Sequence, residues 1–349
     1  MPISDEQLSE APDQNIYLEN AKVNREVAER YADYLKGEGW CFDFSATQPR
    51  AFNMKTNHHA AVAHLTFMFG EWTLHNKAQV AGDYRAFIED LSGRLQRLLT
   101  RIVGHAFRPD GTKLIEVGGG VTLANTHVPF EPVRTGPVEM PPIFEEYLGR
   151  VFMNEQDRET VLDWCADIIQ NPMRRPEWGV IMSGEQGTGK STVAMLVRAA
   201  LGGQHVWQRS EYKPALKDFS EVLTSHLLIC FDDAVAKSDT YEKLKYVVST
   251  KYHQVNVKFV QAAHTREVFG RILICTNKER PFVFDGGDRR FYVCERGKLR
   301  AGRTESNEFF ERFYQWYAEP GTAAFRADTL QTRRPPSTYS ILQLLKKQR

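Results

Sequence analysis

Residues 184–192 read GEQGTGKST, with the apolar run GVIMS immediately before them and the helical run STVAMLVRAAL, closed by Gly202, immediately after. This is the Walker A pattern, G-x-x-x-x-G-K-[ST], in its strand–loop–helix setting, and it dictates much of the surrounding fold. Glycines let the loop curl until consecutive N–H groups point inward, and the helix that follows adds its positive end, so the loop becomes a cradle for phosphate. Gly184, Glu185, Gln186, Gly187, Thr188, Gly189, Lys190, Ser191 and Thr192 are the expected ATP-binding residues. Lys190 is expected to reach the β- and γ-phosphates, and the Ser191 hydroxyl to hold Mg2+.

A loop of this kind needs a sheet behind it. After Pro176 the sequence alternates helical stretches with short apolar runs: WGVIMSG, HVWQR, LLICFDD, ILICTN and RFYVCE. Runs without alternation suit strands buried on both faces, as in a parallel sheet covered by helices. The expected fold class is α/β, a three-layer P-loop core with a parallel sheet over 176–300, preceded by a mixed α+β N-terminal domain over 1–135. A linker and helical segment fills 136–175, and a C-terminal helix and basic tail 301–349. Within the N-terminal domain, Val23, Val27, Tyr31 and Tyr34/Leu35 recur at helical spacing up to Gly37 and Gly39. Residues 40–54 then read as strand, turn and strand, 81–104 as helix and 113–130 as a hairpin. No primase signature, a pair of carboxylates with a histidine, is legible in residues 1–140, which argues against primer synthesis by this chain.

Two of the apolar runs end in residues suited to hydrolysis. LLICFDDA puts Asp232 and Asp233 at the C-terminal end of a strand beside the phosphate loop. There one carboxylate can bind Mg2+ and the next can orient or deprotonate the attacking water; Asp232 is assigned to the metal and Asp233 to the water. ILICTN ends in Asn277, whose amide can hydrogen-bond both the γ-phosphate and that water. The stretch GGDRRF, 286–291, taken alone, reads as a surface turn.

Composition narrows the setting. The net charge is +1, so any nucleic-acid contact must come from local basic patches. One such patch, Arg333, Arg334, Lys346, Lys347 and Arg349, follows the last acidic residue, Asp328, and reads equally as a solubilising tail. Five cysteines without a C-x-x-C pair, and no His/Cys cluster at metal spacing, argue against a disulfide framework or a zinc site and for a reducing compartment. No run approaches the ~18 apolar residues of a membrane span, and no signal-peptide layout opens the chain. The expected location is cytoplasmic, the host-cell cytoplasm if the protein is phage-encoded.

Taken in order, GEQGTGKS, LLICFDDA, NVKFVQAAHTREVFGRILICTN and GGDRRFYV resemble the superfamily 3 helicases of viruses, phages and plasmids, and most nearly the helicase portion of phage and plasmid primase-helicases. VLDWCADIIQNPMRRPEWGVIMSGEQGTGKS is similar to that family's helix leading into the phosphate loop. RAFNMK, FRPDGTKLIEVGGGVTLANTHVP and RRPPSTYSIL are similar to segments around the module. The resemblance implies an AAA+-like ATP hydrolase: a DNA helicase of phage or mobile-element replication, forming a homo-oligomeric, hexameric ring with ATP between subunits. Its substrate would be single-stranded or forked DNA, and its partner a primase or polymerase. The segment VNVKFVQAAHTREVFG would form a hairpin projecting into the ring channel, with Lys258 at the family's basic position, His264 and Arg266 near the tip, and Lys251 close by as a further DNA contact. Arg289 would reach the neighbouring subunit's γ-phosphate, with Arg290 assisting, Asp288 orienting a guanidinium, and Gly286 and Gly287 allowing the approach. The second acid of the pair is often glutamate in this group; Asp233 matches the aspartate pair of papillomavirus replication helicases. Two other readings remain open: an AAA-type loader or remodelling ATPase acting on a replication partner protein, against which the short C-terminal remainder speaks, and a nucleotide-gated DNA-binding module without turnover.

Overall fold

The computed structural model describes residues 11–117, 119–129, 140–217, 220–234, 239–255, 264–279, 281–282, 288–300 and 302–319. Lys258, Gly286, Gly287 and the basic tail lie outside them. Two units emerge from the packing: unit 1 comprises Met1–Ala106 and Thr112–Val128, and unit 2 comprises Phe107–Gly111 and Pro129–Arg349.

Unit 1 starts with helix α1, Ala11–Gly37, whose buried stripe is Val27, Ala28, Tyr31, Ala32 and Leu35. Val23 and Tyr34, expected on that stripe, are 40% and 41% exposed, because the packing face is centred one position away from them. Strands β1 (Trp40–Asp43), β2 (Arg50–Asn53) and β3 (His58–Ala60) follow, then α2 (Val62–Asn76) and α3 (Tyr84–Leu98). Asp83 caps α3 by accepting from the Arg85 amide at 2.8 Å. The helix ends short of the expected 104, because Arg101–Ile102 leave it as strand β4 to pair in parallel with β1. The four strands run in the order β3-β2-β1-β4. Strands β5 (His105–Ala106), β6 (Leu114–Val117) and β7 (Val121–Asn125) make a second sheet, β5-β7-β6, whose β6–β7 pair is the expected hairpin. One cluster in this region goes beyond what the sequence suggests: Asp43, His59 and His105 converge, and their ligand-type atoms lie within 4.8 Å of one another. They come from three separate strands, so no linear spacing marks them.

Unit 2 contains α4 (Pro142–Val151), α5 (Glu155–Gln170), β8 (Gly179–Ser183), α6 (Thr192–Leu201), β9 (Val206–Arg209), α7 (Lys213–Leu216), α8 (Val222–Ser225), β10 (Leu228–Asp232), α9 (Thr240–Ser249), β11 (Tyr252–Val255), β12 (His264–Glu267), β13 (Arg271–Thr276), β14 (Phe291–Val293) and α10 (Arg303–Ala318). The five apolar runs form one sheet in the order β14-β8-β13-β10-β9, with every pairing parallel. All residues of β8 and β13 are buried, because helices cover both faces. Val180, Met182, Leu273 and Cys275 join one core with Phe144, Trp164, Val193 and Phe313; Ile181, Ile272 and Ile274 join another with Leu244 and Val248. At about 1.5–3 kcal/mol for each large side chain removed from water, these two layers dominate the stability of the unit. Helices α4 and α5, placed ahead of the core by the sequence reading, belong to it.

Two arginines of the MRRP stretch and the first residue of β13 tie the approach to β8 down. Arg271, 2% exposed, donates to the Asp167 carboxylate at 2.9 Å and to the carbonyls of Asn171 (3.2 Å) and Arg174. Burial pushes its guanidinium down to about 10, with the Asp167 charge opposing, so it stays a cation at neutral pH. Arg174 pairs with the other oxygen of Asp167, and Arg175 donates to the carbonyls of Gly270, Thr250 and Val247 at 2.7, 2.6 and 2.7 Å. All five cysteines are buried, and none is in a disulfide. Among the described residues, no helix is long and apolar enough to cross a membrane.

Candidate active site

Because the sheet is parallel, the C-terminal ends of β8, β10 and β13 share one edge, and the chain leaves β8 towards β9 at one side and β13 towards β14 at the other. Such a divergence of connections opens a crevice at the strand tips. The loop 184–191 occupies it. Gly187 and Gly189 have φ of +86° and +82°, a region that favours glycine. A Cβ on Gly189 would also stand 2.4 Å from the Phe310 ring of α10, so any other residue there would have to push that ring aside. The loop entrance is clamped: the Gly184 amide donates to the Thr276 carbonyl (3.1 Å) and the Glu185 amide to that of Gly297 (3.0 Å).

Inside the loop, Lys190 is 7% exposed, and its ammonium donates among the carbonyls of Gly184 (3.1 Å) and Glu185 (2.8 Å), the Thr188 hydroxyl (3.1 Å) and Asn277 Oδ1 (3.2 Å). Burial lowers its pKa. Ser191, at the start of α6, donates its hydroxyl to Asp232 Oδ1, and Gln208 donates to Asp232 Oδ2 at 2.9 Å. Asp233 follows with φ +53°, a left-handed turn that aspartate tolerates better than most residues. That turn aims its carboxylate across the sheet edge to Asn277, which donates from Nδ2 (2.9 Å) and from its amide (3.3 Å). Asn277 thus joins Lys190 to Asp233. A cavity of about 270 Å³ is lined by Gly189, Lys190, Ser191, Asp232, Asp233 and Asn277 among others. Ser191 and Asp232 offer only oxygen donors, a set that fits a hard divalent cation such as Mg2+.

Several residues at this edge are not singled out by any sequence motif. Arg296, beyond β14, donates from Nη2 to the Asn277 carbonyl at 3.2 Å, while its buried Nη1 has no hydrogen-bond partner among the described residues. Helix α10 lies over the loop: Ser306 donates to the Gly187 carbonyl (3.0 Å), Arg303 to Gln186 Oε1 (3.0 Å), and the Tyr314 hydroxyl meets Thr192 Oγ1 (2.8 Å). The Leu299 amide holds Glu185 Oε2 at 2.9 Å. The aromatic FFERFYQWY pattern announces the helix but not the surface it covers.

Arg289 and Arg290 sit elsewhere. Phe291 pairs with Gly179, and the Gly179 amide donates to the Arg290 carbonyl at 2.8 Å, so the arginines lie at the start of β14, beside the start of β8. At about 3.3 Å per residue, the length of β8 puts them roughly 13 Å or more from the loop at its far end. Arg290 is anchored: its Nε donates to Ser249 Oγ (3.1 Å), and its amide (2.9 Å) and Nη1 (3.3 Å) to Asp288 Oδ1, whose other oxygen accepts from the Tyr241 hydroxyl (2.6 Å). Arg289 is exposed and has no hydrogen bond or ion pair among the described residues.

Strands β11 and β12 form an antiparallel pair with Val255 opposite His264 and His253 opposite Arg266. Arg266 therefore stands towards the base of the hairpin and not near its tip, and partial burial lowers its pKa. Lys251 precedes β11 with its side chain 69% exposed, 3.8 Å from Glu267 and over the Tyr252 ring. His264 lies at the described end of β12, and Lys258 lies beyond it, outside the described residues.

Residues 182–290 match a family of unknown function, DUF5906. No curated protein matches the chain. Solved structures that are similar include the A form apo structure of the NrS-1 C-terminal region, at 18% identity and a TM-score of 0.61, covering 90% of this chain and 74% of that one. The apo structure of the NrS-1 C-terminal region 305–718 matches at 17% identity and a TM-score of 0.58, covering 92% and 75%. At these identities the shared property is the fold.

Proposed function

We propose that unit 2 is an AAA+-like P-loop ATPase, and that the protein is a superfamily 3 DNA helicase or translocase of phage or mobile-element replication. The observation that carries this reading is the convergence of Lys190, Ser191, Asp232, Asp233 and Asn277, drawn from three strand tips, on one cavity. ATP would place its phosphates against the amides of 186–191, and Lys190 would exchange its loop carbonyls for phosphate oxygens. Ser191 and Asp232 would hold Mg2+, which when bound neutralises charge on the phosphate oxygens. Asp233 orients the attacking water and takes its proton, and Asn277 holds that carboxylate in place from the adjacent strand. Arg296, whose Nη1 has no hydrogen-bond partner among the described residues, is a guanidinium of the same subunit at this edge that would meet phosphate charge.

Arg289 is too far from the loop of its own sheet to serve there. Its exposure supports a role on a neighbouring subunit's nucleotide, with Arg290 and Asp288 bracing the turn that presents it. That requires a ring, and the resemblance supplies a hexamer. Lys251 and Lys258, the latter outside the described residues, would grip the backbone phosphates of single-stranded DNA, and a primase or polymerase would act alongside. The test is forked-duplex unwinding with purified protein: ATP-dependent strand separation supports the reading, and ATP turnover that single-stranded DNA leaves unchanged, with no separation, overturns it.

A further inference from the structure

Asp43, in unit 1, is a buried carboxylate that makes no ion pair with a lysine or arginine among the described residues, although Arg50 stands opposite it on β2. Among the described residues its charged partners are two imidazoles: His105 Nε2 at 2.7 Å and His59 Nε2 at 2.9 Å, both on the same oxygen, Oδ2. The other oxygen is held by the Ser45 amide at 2.8 Å, so the carboxylate is fixed with Oδ2 turned to the histidines. A buried anion must be compensated, and here the compensation comes from the two histidines and the Ser45 amide, all aimed at one carboxylate. The Phe52 ring braces both histidines, 4.8 Å from His59 and 4.6 Å from His105 between centroids.

We propose that Asp43, His59 and His105 form a binding site for one first-row divalent transition-metal ion of the zinc class, in the N-terminal unit and separate from the nucleotide site. Two imidazoles and one carboxylate are a ligand set that such ions favour over Mg2+ or Ca2+. A tetrahedral ion about 2.0–2.2 Å from each donor would space the donors about 3.4 Å apart. The existing separations of 2.7 and 2.9 Å need to open by roughly half an ångström, within reach of a side-chain adjustment at His59, which is 40% exposed. The same exposure gives the ion a path in and leaves a coordination position facing solvent, as three-ligand sites do. The site also ties β3 and β5 to the end of β1, joining the two sheets of the unit.

The test uses tag-free, full-length protein, stripped with chelator and titrated with Zn2+ by calorimetry and with Co2+ by visible absorption. The expected result is roughly one ion per chain, a tetrahedral Co2+ spectrum and a higher melting temperature with Zn2+. His59→Ala and His105→Ala should each lower the affinity at least tenfold, whereas His58→Ala, the exposed neighbour on the same strand, should leave it unchanged. Because His59 is partly exposed, its variant is expected to fold, which circular dichroism checks. Absence of uptake by the wild type, or uptake that His59→Ala leaves intact, overturns the proposal and leaves Asp43 as a hydrogen-bonded strap between strands.

Discussion

The two units place their polar side chains differently. In unit 2 the interiors of β8, β10 and β13 are apolar, and Asp232, Asp233 and Asn277 stand at or just beyond strand ends, where a side chain can leave the sheet while its backbone stays paired. In unit 1, Asp43 is itself the buried last residue of a four-residue strand, and its partners lie 16 and 62 positions away. A site built on tips of a parallel sheet leaves a linear signature, an apolar run followed by one or two polar residues. A site assembled across short strands leaves none.

The two ends of the unit 2 sheet provide the largest expected effect. Arg289→Ala should lower ATP turnover by roughly 10³-fold or more, the usual worth of such an arginine, without weakening nucleotide binding. Mixed with Lys190→Ala protein, itself inactive, it should recover part of the activity; mixed assemblies that stay inactive would place Arg289 outside catalysis. Next comes Asp167→Ala, which strands the buried Arg271 cation. It should destabilise unit 2 by about 3–5 kcal/mol in denaturant unfolding, and a loss below 1 kcal/mol would mean that water reaches this arginine. Asn277→Ala should cost about 100-fold in turnover at nearly unchanged stability, and a fall confined to stability would make Asn277 a structural residue.

In unit 1, Asn53→Ala removes acceptors of the Lys55 and Thr56 amides and a donor to the Glu38 carbonyl. About 1–3 kcal/mol of stability should be lost, with ATP turnover per folded molecule unchanged. Asp288 should give the smallest effect. Burial alone would raise its pKa, but hydrogen bonds from the Tyr241 hydroxyl and the Arg290 amide, with the Arg290 charge, outweigh burial and hold it below the ordinary 3.8. Its stabilisation is therefore complete above pH 3.8 and lost as the pH falls through the lowered value. Asp288→Asn should flatten this acid limb of thermal stability; an unchanged limb would detach Asp288 from the bracing of Arg290.

Much of unit 2 could be read from its residues. Unalternated runs such as ILICT gave the strands because both faces are covered, and GEQGTGKST gave the loop because few other sequences can make that curl. What could not be read was long-range: which surface α10 covers, that Arg296 turns to the Asn277 carbonyl, and that Arg175 spends its donors on three backbone carbonyls. Arg266 was misplaced because the hairpin register, with Arg266 opposite His253, is set by pairing and not by position in the run. In unit 1 the strands are short, their side chains meet across two sheets, and Asp43 looks like any acidic residue in WCFDF until the fold brings His59 and His105 to it.

The most direct measurement is ATP turnover with and without single-stranded DNA, for the wild type and for the Asp232→Ala, Asp233→Ala double variant. The expected result is DNA-stimulated turnover in the wild type and none in the double variant, which should still bind nucleotide. Turnover that survives loss of both aspartates, or a wild type that binds ATP without hydrolysing it, would contradict the assignment of this strand-tip cavity as the site of hydrolysis.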